Sequence, residues 1–364
     1  MFNPTTEVTP GAEMIDFRAL PKIELHAHLS GSISRQCLHE VWLKKKGESA
    51  QSVVDLPDPL IEMPEGKHDY DLTTFFPLFS RYIYRLVDTK WALTYTTLSV
   101  LQDFAADGVV YLELRTTPRA MPQAALSKAD YIQTILDAIS QFESAQSLSH
   151  DANPSMKTNL ILTIDRRNSL PEAEEVLSLT KQFFNKGVVG LDLAGDPART
   201  EIQHLAPVFQ KAKREIPGVG VTLHFGEAES SGTDDELDML LLWGPPDRLG
   251  HVIHLSEGIK EKVIRRGGVG LELCLSCNVR AGMITGDYGD HHFQEWYKVK
   301  NCNIVLGTDD VGVFGSPLSN EYALVAEHFG LSRSEICALA RQGIDVIFGG
   351  EEEKERLRRL MWHE

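Results

Sequence analysis

The stretch Lys22-Ile-Glu-Leu-His-Ala-His-Leu29 is a short apolar run that carries two histidines near its end. Side chains alternate along a β-strand, so His26 and His28 are expected to face the same side of one strand. Seven similar runs follow, and several are nearly continuous in apolar residues, which is typical of parallel strands covered by helices. They are Gly108–Thr116, Thr158–Asp165, Gly187–Gly195, Gly218–Gly226, Arg248–Leu255, Gly268–Asn278 and Asn303–Asp309.

Helical stretches lie between these runs, and the alternation predicts an α/β fold, a (β/α)8 TIM barrel. The alternative is a doubly wound open sheet; the positions of the polar residues, described below, favour the barrel. Two parts exceed a minimal barrel: a helical insertion after strand 1, Ser34–Val100, which contains the helical stretch Leu72–Val87, and C-terminal helices over Ser316–Glu364. We expect a loose tail over residues 1–17 and one domain over residues 18–364. The other predicted helices are Ser127–Ser147, Leu170–Lys186, Thr200–Glu215, Thr233–Trp243 and Glu257–Arg266.

Charge and composition exclude several classes of protein. The net charge of −16 argues against binding to a nucleic-acid backbone, although a small anion needs only a local positive pocket. No run of about 18 apolar residues predicts a membrane span, and residues 1–12 do not read as a secretory signal. The five cysteines are odd in number and irregularly spaced, which favours a reducing compartment. We therefore expect a cytoplasmic monomer that binds a small molecule.

Polar residues mark the carboxyl ends of three predicted strands. His26 and His28 end the first strand, His224 lies near the end of the fifth, and Asp309 ends the eighth. These ends meet at one mouth in a closed barrel, where barrel enzymes place their active sites. Three imidazoles and one carboxylate suit Zn²⁺, with a further position left for water. Strand four ends in Leu193-Ala-Gly-Asp196 without a lysine to bridge two metals, so one zinc per chain is predicted.

Two other groups of possible ligands are weaker. Cys274-Leu-Ser-Cys277 resembles half a zinc ribbon, but it lies inside a strand pattern in which the two thiols would point to opposite faces. Two buried, structural thiols are the preferred interpretation. The pair His291-His292 follows Asp290 in a predicted loop and is an alternative binding site.

Candidate catalytic groups lie close to these ligands in the sequence. Glu227 follows His224 by three residues, and it is assigned as a general acid. His251 ends the sixth strand, and it either takes the proton of the attacking water or stabilises the resulting hydroxide. Asp310 follows Asp309 directly, so that one carboxylate can bind metal and the other substrate or water.

These pieces together resemble the adenosine deaminase family. The matching segments run in family order and cover the chain from about residue 18 onwards. They are Leu20-Pro-Lys-Ile-Glu-Leu-His-Ala-His-Leu29, Leu191-Asp-Leu-Ala-Gly-Asp196, His224-Phe-Gly-Glu227, Gly250-His251 and Thr308-Asp-Asp310. The resemblance implies zinc on His26, His28, His224 and Asp309. It also implies Glu227 as the proton donor to the purine ring, His251 beside the attacking oxygen, Asp310 against the purine, and Gly195 offering its backbone to the base.

Within the family, the sequence resembles the adenosine deaminase-like branch, the N6-methyl-AMP deaminases. Where adenosine deaminases carry Asp two residues after His-X-His, this chain has Ser30, a neutral hydroxyl that can donate to a 5′-phosphate. Strand two runs into Leu114-Arg-Thr-Thr-Pro-Arg119, and strand three ends Ile164-Asp-Arg-Arg167, both as in this branch. The substrate contacts implied in this way are His28, Ser30, Thr116, Thr117, Pro118, Arg119, Asp165, Gly195, His224 and Asp310.

The resemblance implies hydrolysis of N6-methyl-AMP, and of other N6-alkyl AMPs, to IMP and methylamine or the corresponding amine. The alternatives are an adenosine or AMP deaminase that releases ammonia, and an inactive nucleotide-binding protein. Arg115 is expected inside the barrel, paired with Glu113. The stretch Thr74–Tyr84 either covers the base as a lid, with Phe79 and Ile83 at helical spacing, or is an ordinary helix packed on the barrel.

Overall fold

The computed structural model describes residues 15–148 and 154–363. Within these ranges, eight parallel strands follow one another in sequence order, each paired with the next. This arrangement confirms the predicted (β/α)8 barrel. Most of the predicted tail, residues 1–14, lies outside the described residues; of its remainder, Ile15 and Phe17 pack against the core. The strands are β1 (Lys22–His28), β2 (Val109–Thr116), β3 (Lys157–Asp165), β4 (Val188–Ala194), β5 (Gly220–Phe225), β6 (Arg248–His251), β7 (Val269–Leu273) and β8 (Cys302–Leu306).

The barrel closes where β1 meets the segment that follows β8. Asp309 donates its backbone amide to the carbonyl of His26 at 2.7 Å, and His28 donates to the carbonyl of Asp309 at 2.9 Å. Ala27 and Asp309 thereby form a parallel bridge. The first and last predicted metal ligands are consequently neighbours, although nearly the whole chain separates them in sequence.

Helices cover the outside of the barrel, so the strands are buried on both faces. All eight residues of β2 and all six of β5 are buried, which explains their apolar composition. The helices are α1 (Leu29–Ser32), α2 (Arg35–Glu48), α3 (Pro59–Glu62), α4 (Leu72–Leu78), α5 (Tyr84–Leu86), α6 (Lys90–Ala106), α7 (Lys128–Leu148), α8 (Leu170–Phe183), α9 (Ala206–Glu215), α10 (Asp234–Leu241), α11 (Glu257–Arg266), α12 (Leu275–Arg280), α13 (Phe293–Tyr297), α14 (Val311–Phe314), α15 (Leu318–Phe329), α16 (Arg333–Val346) and α17 (Glu351–Leu360).

The two predicted additions to the barrel are both helical. The insertion after β1 contains α2 to α6, and a π-helical turn over Phe79–Ile83 joins α4 to α5. The C-terminal helices are α15, α16 and α17. Helix α9 begins six residues later than predicted, because a short 3₁₀ turn over Gln203–Leu205 precedes it.

Three predicted strands are too long at their carboxyl ends. The run Arg248–Leu255 pairs only as far as His251, where His251 and Val252 both have positive φ, and the backbone turns away. The run Gly268–Asn278 pairs only to Leu273, and α12 then begins at Leu275. The run Asn303–Asp309 ends at Leu306. The segments after β7 and β8 stay buried, and the segment after β6 is buried at Val252 and half-buried from Ile253 to Leu255. Apolar residues therefore continue after strand pairing has ended at β6 and β7.

No helix within residues 15–148 and 154–363 has both the length and the apolar character that crossing a bilayer requires.

Candidate metal centre and catalytic site

The four residues predicted as metal ligands converge at the carboxyl end of the barrel. His28 Nε2 lies 3.2 Å from His224 Nε2 and 3.3 Å from Asp309 Oδ1. His26 Nε2 lies 3.6 Å from the same Asp309 oxygen. His251 completes the cluster, since ligand atoms of His26, His224, His251 and Asp309 lie within 4.8 Å of one another. The structure therefore brings together every donor that the sequence pattern selects.

The protonation pattern of this cluster fits a cation. His26 shares Nδ1 with Glu272 Oε2 at 2.6 Å, and His224 shares Nδ1 with Asp192 Oδ1 at 3.2 Å. Because ionised carboxylates only accept, both imidazoles carry their proton on Nδ1 and turn an Nε2 lone pair into the cluster. His26 Nε2 is buried and has no hydrogen-bond partner among the described residues. Such a lone pair is the donor that a transition metal takes.

The local charge supports the same conclusion. Burial lowers the pKa of His224 to about 4 and also lowers the pKa of His28, so both rings are neutral. Burial and Arg115 act to lower the pKa of His26, but Asp309 and Glu272 outweigh them and raise it to about 9. At neutral pH without a metal, this raised pKa keeps a second proton on His26, at Nε2; a bound metal ion would replace that proton and supply the positive charge that the acidic groups favour.

A layer of buried ion pairs supports the histidines from below. Glu272 lies 2.8 Å from Arg115 Nη2 and accepts from Arg248 Nε at 2.6 Å, while Asp192 lies 3.4 Å from Arg115 Nη1. The predicted pairing of Arg115 with Glu113 is wrong. Glu113 lies on the same strand as Arg115 and binds Arg248 at 2.7 Å, whereas Arg115 reaches across the interior to β7 and β4.

Asp309 is held by its backbone and by a thiol. Its φ is +58°, a left-handed conformation that is uncommon outside glycine and recurs at functional sites. Cys277 donates its thiol to Asp309 Oδ2 at 2.8 Å. The placement of this cysteine inside a strand is wrong, because Cys277 lies on α12 and faces the site. Both Cys274 and Cys277 are buried thiols, as predicted.

Two buried acids without a full set of partners lie beside the cluster. Burial and the charge of Asp309 raise the pKa of Glu227 to about 8, and its Oε2 has no partner among the described residues. Burial, with Asp309 and Glu227 nearby, also raises the pKa of Asp310 well above its ordinary value. Gly31 makes room for this carboxyl, since a Cβ there would lie 1.4 Å from Asp310 Oδ1. A carboxyl kept protonated near neutral pH can give a proton to a base.

His251 is buried at the end of β6. Its Nε2 lies 3.9 Å from both Glu227 Oε1 and Asp309 Oδ2, and it has no hydrogen-bond partner among the described residues. The φ of +65° at His251 is stabilised by His292, whose Nε2 donates to the His251 carbonyl at 2.6 Å. The pair His291-His292 therefore packs behind His251 and does not form a separate site.

A cavity opens from the cluster to solvent, and most of the predicted substrate contacts line it. The predicted residues on its wall are His28, Ser30, Thr116, Thr117, Asp165, Gly195, His224, Glu227, Asp309 and Asp310. Thr116 Oγ1 is also 2.7 Å from the Tyr131 hydroxyl. Pro118 and Arg119 are not among the lining residues. Arg119 instead donates to the Val87 carbonyl and lies over the Tyr84 ring, 4.7 Å from its centroid.

Two arginines line the cavity: Arg115, which was expected inside the barrel, and Arg167, which belongs to the segment Ile164–Arg167 but was not among the predicted substrate contacts. The Nε and Nη2 of Arg167 bind the two oxygens of Asp165 at 2.8 and 2.6 Å, and its side chain is about half exposed. The signal available in the sequence was its position two residues after Asp165, at the carboxyl end of β3. Glu272, Asp192, Cys277 and Asn278 were also missed, since each contacts the site from a strand or helix whose register was not known.

An aromatic wall closes one side of the cavity. Phe75, Phe76, Phe79 and Tyr84 line it, and all four lie on the segment from α4 to α5 that was proposed as a lid. Ile83 is buried on another side of this segment and does not reach the cavity. Apolar rings of this kind suit the flat face of a heterocyclic base.

Comparison with known proteins is consistent with this geometry. The family model described as adenosine deaminase matches residues 21–363. N6-Methyl-AMP deaminase of Danio rerio is 36% identical over 357 residues, covering 96% of each chain. Human N6-methyl-AMP deaminase is 32% identical over 355 residues, covering 95% of this chain and 94% of the relative. The crystal structure of arabidopsis N6-mAMP deaminase superposes with a TM-score of 0.83 at 35% identity, covering 94% of this chain and 98% of that chain.

Proposed function

Because this chain belongs to the adenosine deaminase family, we propose that it is a zinc-dependent enzyme that hydrolyses N6-methyl-AMP to IMP and methylamine. It is a hydrolytic deaminase that breaks a C–N bond of a purine nucleotide. Other N6-alkyl AMPs are included where the pocket admits the substituent. The observation that carries the proposal is Glu227, a buried carboxyl with a raised pKa beside the imidazoles of His26, His28 and His224 and the carboxylate of Asp309.

His26, His28, His224 and Asp309 are the proposed ligands of one zinc ion per chain. When bound, zinc lowers the pKa of water towards neutrality and so provides a nucleophile. The chain's own groups complete the reaction at C6 of the purine. Water oxygen bonds to C6 and the C6–N6 bond breaks. The acid's proton stays on N1, one of the two water protons leaves on the amine, and the other restores the acid.

Glu227 is proposed to donate its proton to N1 of the purine as the ring loses aromaticity at C6. Its pKa of about 8 keeps the carboxyl protonated at neutral pH, and its unpartnered Oε2 is available to the base. Asp310 and the backbone of Gly195 line the same cavity and are proposed to contact the ring. His251 is proposed to act on the attacking oxygen, from its position beside Glu227 and Asp309.

The phosphate is proposed to lie at the cavity mouth. Ser30, Thr116 and Thr117 offer neutral hydroxyls on its wall, and Arg167 is a half-exposed cation in the same lining, whereas Arg115 is fully buried and paired with Glu272 and Asp192. Hydroxyls and guanidinium donate to a phosphate, whereas a carboxylate at residue 30 would repel it. Solved relatives described as bound to IMP and GMP support a nucleotide in this cavity.

The decisive experiment compares kcat/KM for N6-methyl-AMP, AMP and adenosine under the same conditions. We expect N6-methyl-AMP to be preferred, and a preference for adenosine would contradict the proposal. Elemental analysis of the purified protein is expected to give one equivalent of zinc, which the absence of a lysine at the end of β4 favours. A chain without zinc would revive the inactive nucleotide-binding alternative.

A further inference from the structure

Behind His251, on the side away from the cavity, lies a row of buried polar groups that the proposed mechanism does not use. We call it the donor chain, and it consists of the Phe293 amide, His291, Asn278 and His251. The side chains of Asn278 and His251 are fully buried, and His291 is 2% exposed. Neither Asn278 nor His291 lines the cavity, so neither is placed to bind substrate.

The direction of the donor chain is set at the backbone. The amide of Phe293 donates to His291 Nδ1 at 3.0 Å. A backbone N–H can only donate, so this nitrogen must hold a lone pair, and a neutral His291 carries its proton on Nε2. Burial lowers the pKa of His291 well below its ordinary value, which keeps the ring neutral.

The same direction passes through Asn278. His291 Nε2 lies 3.1 Å from Asn278 Oδ1, so the ring donates and the amide oxygen accepts. The amide nitrogen then points the opposite way. A second contact fixes this orientation independently, because Asn278 Nδ2 lies 3.4 Å from Met283 Sδ, which has no hydrogen to donate.

The chain ends on His251. Asn278 Nδ2 lies 3.1 Å from His251 Nδ1 and must donate to it, because an amide NH₂ cannot accept. The Nδ1 lone pair of His251 is thereby used, and its proton resides on Nε2. That Nε2 is the one polar side-chain atom of Asn278, His291 and His251 without a partner among the described residues, and it faces the site.

We infer that Asn278 and His291 are positioning residues that hold His251 as an Nε2–H donor. His251 then donates a hydrogen bond to the attacking oxygen as negative charge develops on it, and does not accept that oxygen's proton. The catalytic role given to His251 rests on the proposed function, whereas the position of the proton on its ring does not. No proton is transferred to or from the donor chain during turnover.

The tautomer is read directly by long-range ¹H–¹⁵N correlation spectra of the full-length, zinc-loaded chain labelled with ¹⁵N-histidine. The spectrum of His251→Gln identifies the His251 signals by their loss. We expect a protonated Nε2 and an unprotonated Nδ1 on His251. The reverse pattern would overturn the inference, whatever substrate the enzyme prefers, so this failure is distinct from failure of the proposed function.

Asn278→Asp tests the consequence for catalysis. A carboxylate only accepts, so His251 must move its proton to Nδ1, and the spectrum of the variant is expected to show this change. Loss of one preorganised donor lowers kcat by about 10²–10³-fold. KM, zinc content and thermal midpoint are expected to stay near their original values, a split that a general loss of structure would not produce.

Two further variants complete the test. Asn303→Asp makes the same chemical change at the opposite end of the barrel, on β8, and is expected to leave kcat unchanged. His291→Gln retains an N–H donor for Asn278 and is expected to keep more activity than His291→Phe, which removes it. An Asn278→Asp enzyme that shows the moved proton and yet retains its kcat would refute the catalytic part. If Asn278→Asp does not fold, the spectrum of the unaltered chain still decides the tautomer.

Discussion

His26 and His224 differ from His251 in the group that is hydrogen-bonded to the ring nitrogen Nδ1. His26 and His224 give Nδ1–H to the carboxylates of Glu272 and Asp192, whereas the Nδ1 of His251 accepts from the neutral amide of Asn278. A carboxylate leaves a basic lone pair on Nε2, which suits a metal ligand. An amide donor leaves a proton on Nε2, which suits a hydrogen-bond donor. The hydrogen-bond partner of Nδ1 thus decides whether an imidazole in this site is suited to bind a metal or to donate a hydrogen bond.

The two kinds of support also differ in cost. Buried carboxylates need buried cations, and Arg115 and Arg248 lower the pKa of Glu272 well below its ordinary value although burial acts to raise it. The support of the proposed metal ligands is therefore an ion-pair layer that crosses the barrel. Asn278 is neutral and needs only Met283 and His291 as partners. Substitutions in the carboxylate support should consequently change zinc affinity, whereas substitutions in the donor chain should change kcat.

The largest effect is expected at Glu227, which belongs neither to the carboxylates behind His26 and His224 nor to the donor chain behind His251. Glu227→Gln removes the acid but keeps every group around His26, His224 and His251, so kcat should fall by at least about 10²-fold. Zinc content should be retained. Steady-state kinetics with N6-methyl-AMP and elemental analysis measure both quantities, and Glu229→Gln, an exposed change two residues away, is the control. Turnover close to that of the unaltered enzyme would show that Glu227 is not the acid.

The carboxylate support is broken by Glu272→Gln. The outer partner of His26 then loses its charge, and zinc affinity should fall by about 10–100-fold. Competition with a chelator measures this affinity. Glu236→Gln removes a buried carboxylate that pairs with Arg166 at 2.8 Å outside the cluster, so it controls for loss of a buried ion pair. Equal zinc affinities in the two variants would refute a role for Glu272 in holding the ligand.

A charged and a neutral group can also be compared at the cavity mouth, at residue 30. Ser30→Asp places a carboxylate where the phosphate is proposed to lie, and repulsion should lower kcat/KM for N6-methyl-AMP by about 10–30-fold. Turnover of adenosine, which has no phosphate, should be unchanged or improved. Ser30→Ala, which loses a hydroxyl without adding charge, should have a smaller effect. Equal losses for nucleotide and nucleoside would argue against a phosphate at this position.

The smallest effect separates two arginines. Arg167→Ala should raise KM for the nucleotide by about 5–10-fold, and the difference should shrink as salt screens the half-exposed charge. Arg119 lies over Tyr84 and binds the Val87 carbonyl, so Arg119→Ala should lower the thermal midpoint with less change in KM. Salt-dependent kinetics and thermal melting distinguish the variants. A higher KM in Arg119→Ala, with an unchanged KM in Arg167→Ala, would instead assign the phosphate to Arg119.

The sequence contained enough to predict the fold and the cluster. An i, i+2 histidine pair on an apolar run has few solutions other than two ligands on one strand, and His224 and Asp309 end strands of the same type. Within the insertion, only the helical stretch Leu72–Val87 was predicted; α2, α3 and α6 were not located. Periodicity failed at the carboxyl ends of β6 and β7, because apolar composition continues after His251 and Leu273 although strand pairing has stopped.

The second layer was not predictable, because its partners are chosen by the shape of the barrel and not by sequence spacing. Arg115 passes over Glu113, two residues away on the same strand, and binds Glu272, which is 157 residues away. The donor chain is harder still. It depends on one backbone amide, that of Phe293, reaching a ring two residues before it, and no pattern of residue types indicates that direction.

The bridge between Ala27 and Asp309 has a consequence for how the protein is made. Bringing together residues so remote in the chain costs loop-closure entropy, and non-local contacts of this kind slow folding. A ribosome has synthesised more than 300 residues before Asp309 emerges, so the nascent chain carries His26 and His28 without their partner for most of translation. Under the proposed ligand assignment, the complete site is offered to an ion only after the final strand is in place, and binding would then stabilise the closed barrel by mass action.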